Sequence, residues 1–182
     1  LKYMYKRLVL MREHLAENGS IYVHLDSHLA HYVKVMMDEI FGYENFQREI
    51  VWRIGWASGY KTKAKNWIRN HDILYFYTKS KEFTFNKKYI PYPEDYVRRD
   101  GKRPEGEGYP MEDTWNCNNI DKLDSIQIMS FSQEKVGFDT QKNENLLQRV
   151  IEVSSNPSDI VADFFCGSGT TLAVAEKLGR RW

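Results

Sequence analysis

The sequence predicts an α/β fold, and three observations carry that prediction. Residues 159–178 read as an apolar strand, a tight turn holding two glycines, and an apolar-periodic helix through Leu172, Ala173, Val174, Ala175 and Leu178. The first 54 residues alternate helical and strand periodicity. Between about residues 80 and 135 neither period persists, which predicts an irregular insertion rather than a further layer.

From the amino terminus, Leu1, Met4, Tyr5, Leu8, Met11 and Leu15 fall on one helical stripe, with Lys2, Lys6, Arg7, Arg12 and Glu13 off it. Gly19 closes this helix, and residues 21–25 follow as a short strand ending at Asp26. A second helix is expected from about Ser27 to Phe41, stopped by Gly42, with Asp26 read as its N-cap in preference to a site residue. Residues 46–54 and 73–79 have strand character and are expected to pair antiparallel at a sheet edge. A polar run from Asp139 leads into an amphipathic helix with Leu146, Leu147, Val150 and Ile151 on one face; Thr140 or Asn143 suits its N-cap.

The glycine turn after residue 165 is the strongest functional signal. Gly167 and Gly169 let backbone approach a ligand without an intervening Cβ, and the following helix offers N–H groups that have no intrahelical acceptor. A Walker-type phosphate loop needs Gly-Lys-Ser/Thr five residues after its first glycine, where Leu172 stands. The third glycine of a dinucleotide fingerprint falls on the same leucine, which weakens that reading too.

Composition excludes other classes. The 182 residues are 42% hydrophobic with a formal net charge of +1 and room for one ordinary core plus an insertion. No apolar run nears the ~18 residues of a membrane span, so a cytoplasmic protein is expected. Cys117 and Cys166 lack metal-ligand spacing and form no cluster with His24, His28, His31 or His71, so neither a disulfide nor a metal site is expected. Charge is locally uneven: residues 55–71 contain no acid, while Lys61, Lys63, Lys65 and Arg69 alternate with Trp56, Tyr60 and Trp67. Cations that neutralise phosphates beside rings that stack on bases suit a DNA-facing loop; a solvated loop between hairpin strands is the plain alternative. Arg98, Arg99, Lys102 and Arg103 form a second basic cluster.

The run Asp163-Phe164-Phe165-Cys166-Gly167-Ser168-Gly169-Thr170-Thr171 resembles the motif with which S-adenosylmethionine-dependent DNA amino-methyltransferases hold their cofactor. Thr140-Gln141-Lys142-Asn143, then Leu146 and Arg149-Val150-Ile151, is similar to the family's Thr-Gln-Lys-Pro block beside the methionine end of the cofactor, with Asn143 in place of proline. Gly19 to Asp26, Asp38 to Phe46, His71 to Lys79 and Asp113-Thr114-Trp115 resemble segments of permuted beta-type adenine-specific enzymes, including type III modification subunits.

The resemblance implies a Rossmann-like methyltransferase core with a mostly parallel sheet, in which strands 21–25 and 160–165 share one sheet. It implies a catalytic half over residues 1–79, a target-recognition insertion over 80–135 and a cofactor half over 136–182. The cofactor is S-adenosyl-L-methionine, held by Asp163, Phe164, Phe165, Cys166, Gly167, Ser168, Gly169, Thr170, Thr140, Gln141 and Lys142. On the plainer reading Phe164 and Phe165 are core strand residues, a reading that for Phe164 stands level with cofactor contact. DNA contacts fall to Lys61, Lys63, Lys65, Trp67, Arg69, Arg98, Arg99, Lys102 and Arg103. The partners implied are double-stranded DNA and a restriction subunit or second methyltransferase copy.

The family's catalytic Asp-Pro-Pro-aromatic tetrapeptide does not occur in these residues, and Asn156-Pro157-Ser158-Asp159 reads as a turn. The chain is therefore expected to be a fragment, inactive alone, of an adenine-N6 methyltransferase of a restriction-modification system. An N4-cytosine methyltransferase or a non-catalytic nucleic-acid or nucleotide-binding module of the same fold remain the alternatives.

Overall fold

A computed structural model describes residues 1–53, 62–115, 128 and 132–182. Lys61 and Cys117 lie outside the described residues, as does the end of the second expected strand at Ile54.

The amino-terminal helix α1 spans Lys2–His14 and leads to strand β1, Ser20–Leu25. Lys79 secures the end of α1 from across the fold, donating from Nζ to the carbonyls of Arg12 at 2.7 Å and Leu15 at 3.0 Å. Helix α2 spans Ala30–Phe41, three residues later than expected. The Asp26 carboxylate takes the His28 N–H at 3.0 Å, and this local turn postpones the helix, whose first N–H, from Ala30, reaches the Asp26 carbonyl at 3.2 Å.

Strands β2, Phe46–Arg53, and β3, His71–Thr78, pair antiparallel in the register Trp52 to Asp72 and Ile50 to Leu74. β1 pairs antiparallel with the other edge of β3, so the hairpin expected at an edge has its second strand in the interior of the sheet, between β1 and β2. The composition of β3 explains this: Ile73 to Thr78 are buried without alternation, as both faces of a central strand require.

The irregular stretch folds back twice. Strands β4, Tyr89–Ile90, and β5, Tyr109–Pro110, form a separate two-stranded sheet. β6, Thr114–Trp115, joins the main sheet parallel to β2, carrying Trp115 into the core. The main sheet is thus mixed, with more antiparallel pairing among the described residues than the sequence predicts.

Alternate residues of β3 serve two layers. Ile73, Tyr75 and Tyr77 face Leu8 of α1 and Ala30, Val33, Met37 and Phe41 of α2. Leu74 and Phe76 pack with Ile50, Trp52, Trp115 and Leu146, the last from helix α3, Glu144–Ser154. Helix α4, Thr170–Lys177, then packs on α3 through Ile151, Val174 and Ala175.

Residues 160–165 do not form the expected strand beside β1. Their ladder is one parallel bridge, Ile160 to Arg181, with Val161 N–H on the Arg181 carbonyl and Arg181 N–H on the Asp159 carbonyl, each at 2.8 Å. An apolar run becomes a strand only where a neighbour completes the ladder. The Asp163 carboxylate then takes the Phe165 N–H at 2.9 Å and turns the chain out of extended geometry.

Candidate functional site

Asp163 organises the glycine turn. While Oδ1 accepts from Phe165 N–H, Oδ2 accepts the Thr171 hydroxyl at 2.6 Å, tying the start of the turn to the first turn of α4. Gly169 N–H closes onto the Cys166 carbonyl at 2.7 Å, and the hydroxyls of Ser168 and Thr170 lie 2.9 Å apart. Gly167 and Gly169 have φ of +50° and +79°, the left-handed region that glycine occupies without a Cβ penalty. A Cβ at Gly169 meets no atom within 4 Å, so open space adjoins the N-terminus of α4.

Phe164 and Phe165 are 62% and 52% exposed and join none of the core clusters among the described residues. Cys166 is exposed as well. Two aromatic faces, an open turn and helix-terminal amides together suit a ligand with a flat heteroaromatic part and polar groups.

The block at residues 140–142 adjoins this turn through Phe138, whose role the sequence reading missed. Its ring lies 3.3 Å from the position of a Gly167 Cβ, and its carbonyl accepts Gln141 N–H at 3.1 Å. The available signal was a large apolar residue placed directly before a polar run that leads into a helix; in the structure it stays 47% exposed. Gln141 is buried and employed inside the protein: Oε1 accepts from Val136 N–H at 2.9 Å and Nε2 donates to the Glu134 carbonyl at 2.6 Å. It shapes the approach to the turn. Thr140 is exposed, and its carbonyl takes the Lys142 ammonium at 2.8 Å. Burial lowers the Lys142 pKa from its ordinary value. Asn143 Oδ1 caps α3 by accepting Leu146 N–H at 2.8 Å.

The Lys142 charge also acts on His24, near the carboxyl end of β1, where a second polar group gathers. His24 Nε2 lies 3.0 Å from Asp72 Oδ2, the Arg69 guanidinium contacts the other Asp72 oxygen, and the His24 ring tilts against Trp52 with centroids 5.4 Å apart. Burial, together with the nearby charges of Lys142 and Arg69, pushes the His24 pKa down to about 4. The Asp26 carboxylate opposes this without outweighing it. The neutral imidazole therefore donates from Nε2 to Asp72.

Of the residues expected to face DNA, Lys63 and Lys65 are exposed and Trp67 is 99% exposed, whereas Arg69 is paired with Asp72. Arg98, Arg99, Lys102 and Arg103 are exposed around a tight loop between β4 and β5, closed by Arg98 N–H on the Lys102 carbonyl at 2.9 Å. Tyr92, Tyr96 and Tyr109 pack together beneath it, and the Arg98 guanidinium lies 3.6 Å from Asp100. Among the described residues no cluster of His, Cys, Asp and Glu has metal-binding geometry, and no helix is long and apolar enough to cross a membrane.

Comparison with known proteins places this geometry. The chain is 28% identical to the Type II methyltransferase M.EcaI of Enterobacter cloacae, over its whole length and 53% of that protein. It is 29% identical to the DNA adenine methyltransferase YhdJ of Escherichia coli K12, across 92% of the chain and 56% of that protein. The chain thus spans about half the length of these curated relatives. The crystal structure of the M1.HpyAVI-SAM complex superposes with a TM-score of 0.66 at 20% identity, covering 98% of this chain and 73% of that one, which shows a shared fold. The family described as DNA methylase matches residues 1–182, and the chain belongs to that family.

Proposed function

We propose that the full-length protein transfers the methyl group of S-adenosyl-L-methionine to the exocyclic N6 of adenine in a specific DNA sequence, within a restriction-modification system. The observation that carries this reading is the turn from Asp163 to Thr171, with two left-handed glycines beside open space at the start of a helix. Family membership supports it, and the similarity to a DNA adenine methyltransferase of Escherichia coli supports adenine.

The residues fit the cofactor. Backbone of residues 166–168 and 170 offers amides, exposed Phe164 and Phe165 offer flat apolar faces, and Lys142 offers a cation that burial disfavours. When bound, S-adenosylmethionine supplies an electrophilic methyl carbon. This chain's part is to bind and orient: Asp163 fixes the turn, while Gln141 and Phe138 hold the Thr140 to Lys142 block against it. The target atom is inside a stacked duplex, so the base must be extruded for reaction. Lys63, Lys65 and Trp67, with the Arg98 to Arg103 loop, supply cations and an aromatic face for the DNA. The protein works in the cytoplasm with the DNA it modifies, beside a restriction subunit or a second methyltransferase copy.

The test is incubation of the full-length enzyme with labelled S-adenosylmethionine and mixed-sequence DNA, followed by nucleoside digestion. Label in N6-methyladenine is expected; label in N4-methylcytosine, or none, overturns the assignment. Residues 1–182 alone, which contain no Asp-Pro-Pro sequence, are expected to transfer no label.

A further inference from the structure

We propose that Asp72 is a positioning residue, clamping Arg69 to the sheet and thereby fixing the course of the basic segment 62–70 that presents Lys63, Lys65 and Trp67 to DNA. The functional half of this rests on the DNA reading above; the mechanical half does not.

Asp72 is the second residue of β3, and its side chain is only 12% exposed. A carboxylate that deep is costly unless its oxygens are partnered. It has two partners of different kinds. His24 belongs to the sheet and is held by the β1–β3 ladder opposite Leu74. Arg69 lies before β3 begins and contacts the other oxygen. Asp72 therefore links a rigid element to the point where the basic segment rejoins it. Every residue from 62 to 69 is exposed, so apolar packing does little to set the path of this segment. The ion pair between Arg69 and Asp72 at its return anchors it instead.

The clamp gives Arg69 a different role from the phosphate contact the sequence suggests, and the two roles predict opposite signs. If Arg69 binds phosphate directly, Asp72→Asn removes a competing negative charge and strengthens DNA binding. If Asp72 clamps the segment, the same substitution weakens DNA binding although it makes the protein more positive.

In the full-length enzyme without DNA, Asp72→Asn and Arg69→Met are each expected to speed tryptic cleavage after Lys63 and Lys65 several-fold. Unchanged cleavage in both overturns the clamp, whatever DNA does. With duplex DNA, each variant is expected to raise Kd on the order of tenfold with a shallower salt dependence, while affinity for S-adenosylmethionine stays the same. The double variant is expected to be no worse than either single, because the two residues act as one unit. Tighter DNA binding by Asp72→Asn overturns the proposal in favour of a direct phosphate contact. Arg69 is 39% exposed, so Arg69→Met keeps the test valid if loss of the buried carboxylate impairs folding. Lys63→Ala with Lys65→Ala separates the two readings: unchanged Kd and salt slope overturn the functional half, while faster cleavage in the clamp variants still supports the mechanical half.

Discussion

The Thr171 hydroxyl donates to Asp163 Oδ2 at 2.6 Å, joining the start of the glycine turn to the helix that follows it. The bond spans the seven intervening residues, so it fixes the shape of the turn in the absence of any ligand. Shape fixed beforehand lowers the ordering cost of binding.

Thr171→Val removes the donor at nearly constant volume and is expected to weaken S-adenosylmethionine binding by roughly fivefold, equivalent to about 1 kcal/mol for a partly exposed bond to a carboxylate. Thr171→Ser keeps the hydroxyl and is expected to bind normally. Calorimetric titration of the full-length variants checks both; normal binding by Thr171→Val would show that the hydroxyl bond does not set the turn for the ligand.

Gly169 separates strain from occlusion. Its φ of +79° penalises any side chain, yet a Cβ there meets nothing within 4 Å. Gly169→Val is therefore expected to fold, at a cost of about 1–2 kcal/mol in backbone strain, and to lose cofactor binding because the side chain enters the open space. Cys166→Ala keeps the backbone and is expected to retain binding. Normal binding by Gly169→Val would remove this turn from the cofactor site.

The Asn143 cap is a test of the fold rather than the ligand. Asn143 is fully buried, and Asn143→Ala leaves the Leu146 N–H without its acceptor. The expected loss is about 1–2 kcal/mol, which lowers Tm by roughly 2–8 °C in a domain of this size. Thermal melting checks it, and an unchanged Tm would mean the first turn of α3 is secured by its packing.

What was legible in the sequence depended on how local its cause was. Asn143 reads as a cap because its acceptor serves an N–H three residues on. The β2–β3 pairing reads from two strand-like runs. The central place of β3 does not, because it is set by β1, some fifty residues away in sequence. Residues 160–165 look like a strand because apolar periodicity records what a segment buries, not whether a neighbour is present to complete its ladder. Asp163 mattered for its side chain, which ends the extended run and shapes the turn. Trp115 returns to the core from a region without periodicity, and only two residues of strand carry it there. The Arg69–Asp72 contact left no trace at all: oppositely charged residues three apart signal an ion pair only on a helix, and here they flank the start of a strand.

His24 makes the fold sensitive to acid. Burial first, then the charges of Lys142 and Arg69, bring its pKa down to about 4, while in the unfolded chain it titrates near 6.5. Between those values the unfolded state binds the extra proton and the folded state does not, so stability falls as pH drops through this window and is fully retained above it. The shift corresponds to roughly 3 kcal/mol once pH is below about 4. Other groups add acid sensitivity of their own: the backbone N–H of His28 holds the Asp26 pKa below its ordinary value, and that stability too is lost on acidification. A comparison with His24→Gln isolates the histidine, because glutamine can still donate to Asp72 but takes up no proton. The gap in Tm between pH 7 and pH 4.5 is expected to be several degrees smaller in the variant. An identical gap in both proteins would show that His24 accepts its proton in the folded state as readily as in the unfolded one, and would place Asp72 rather than burial in control of the imidazole.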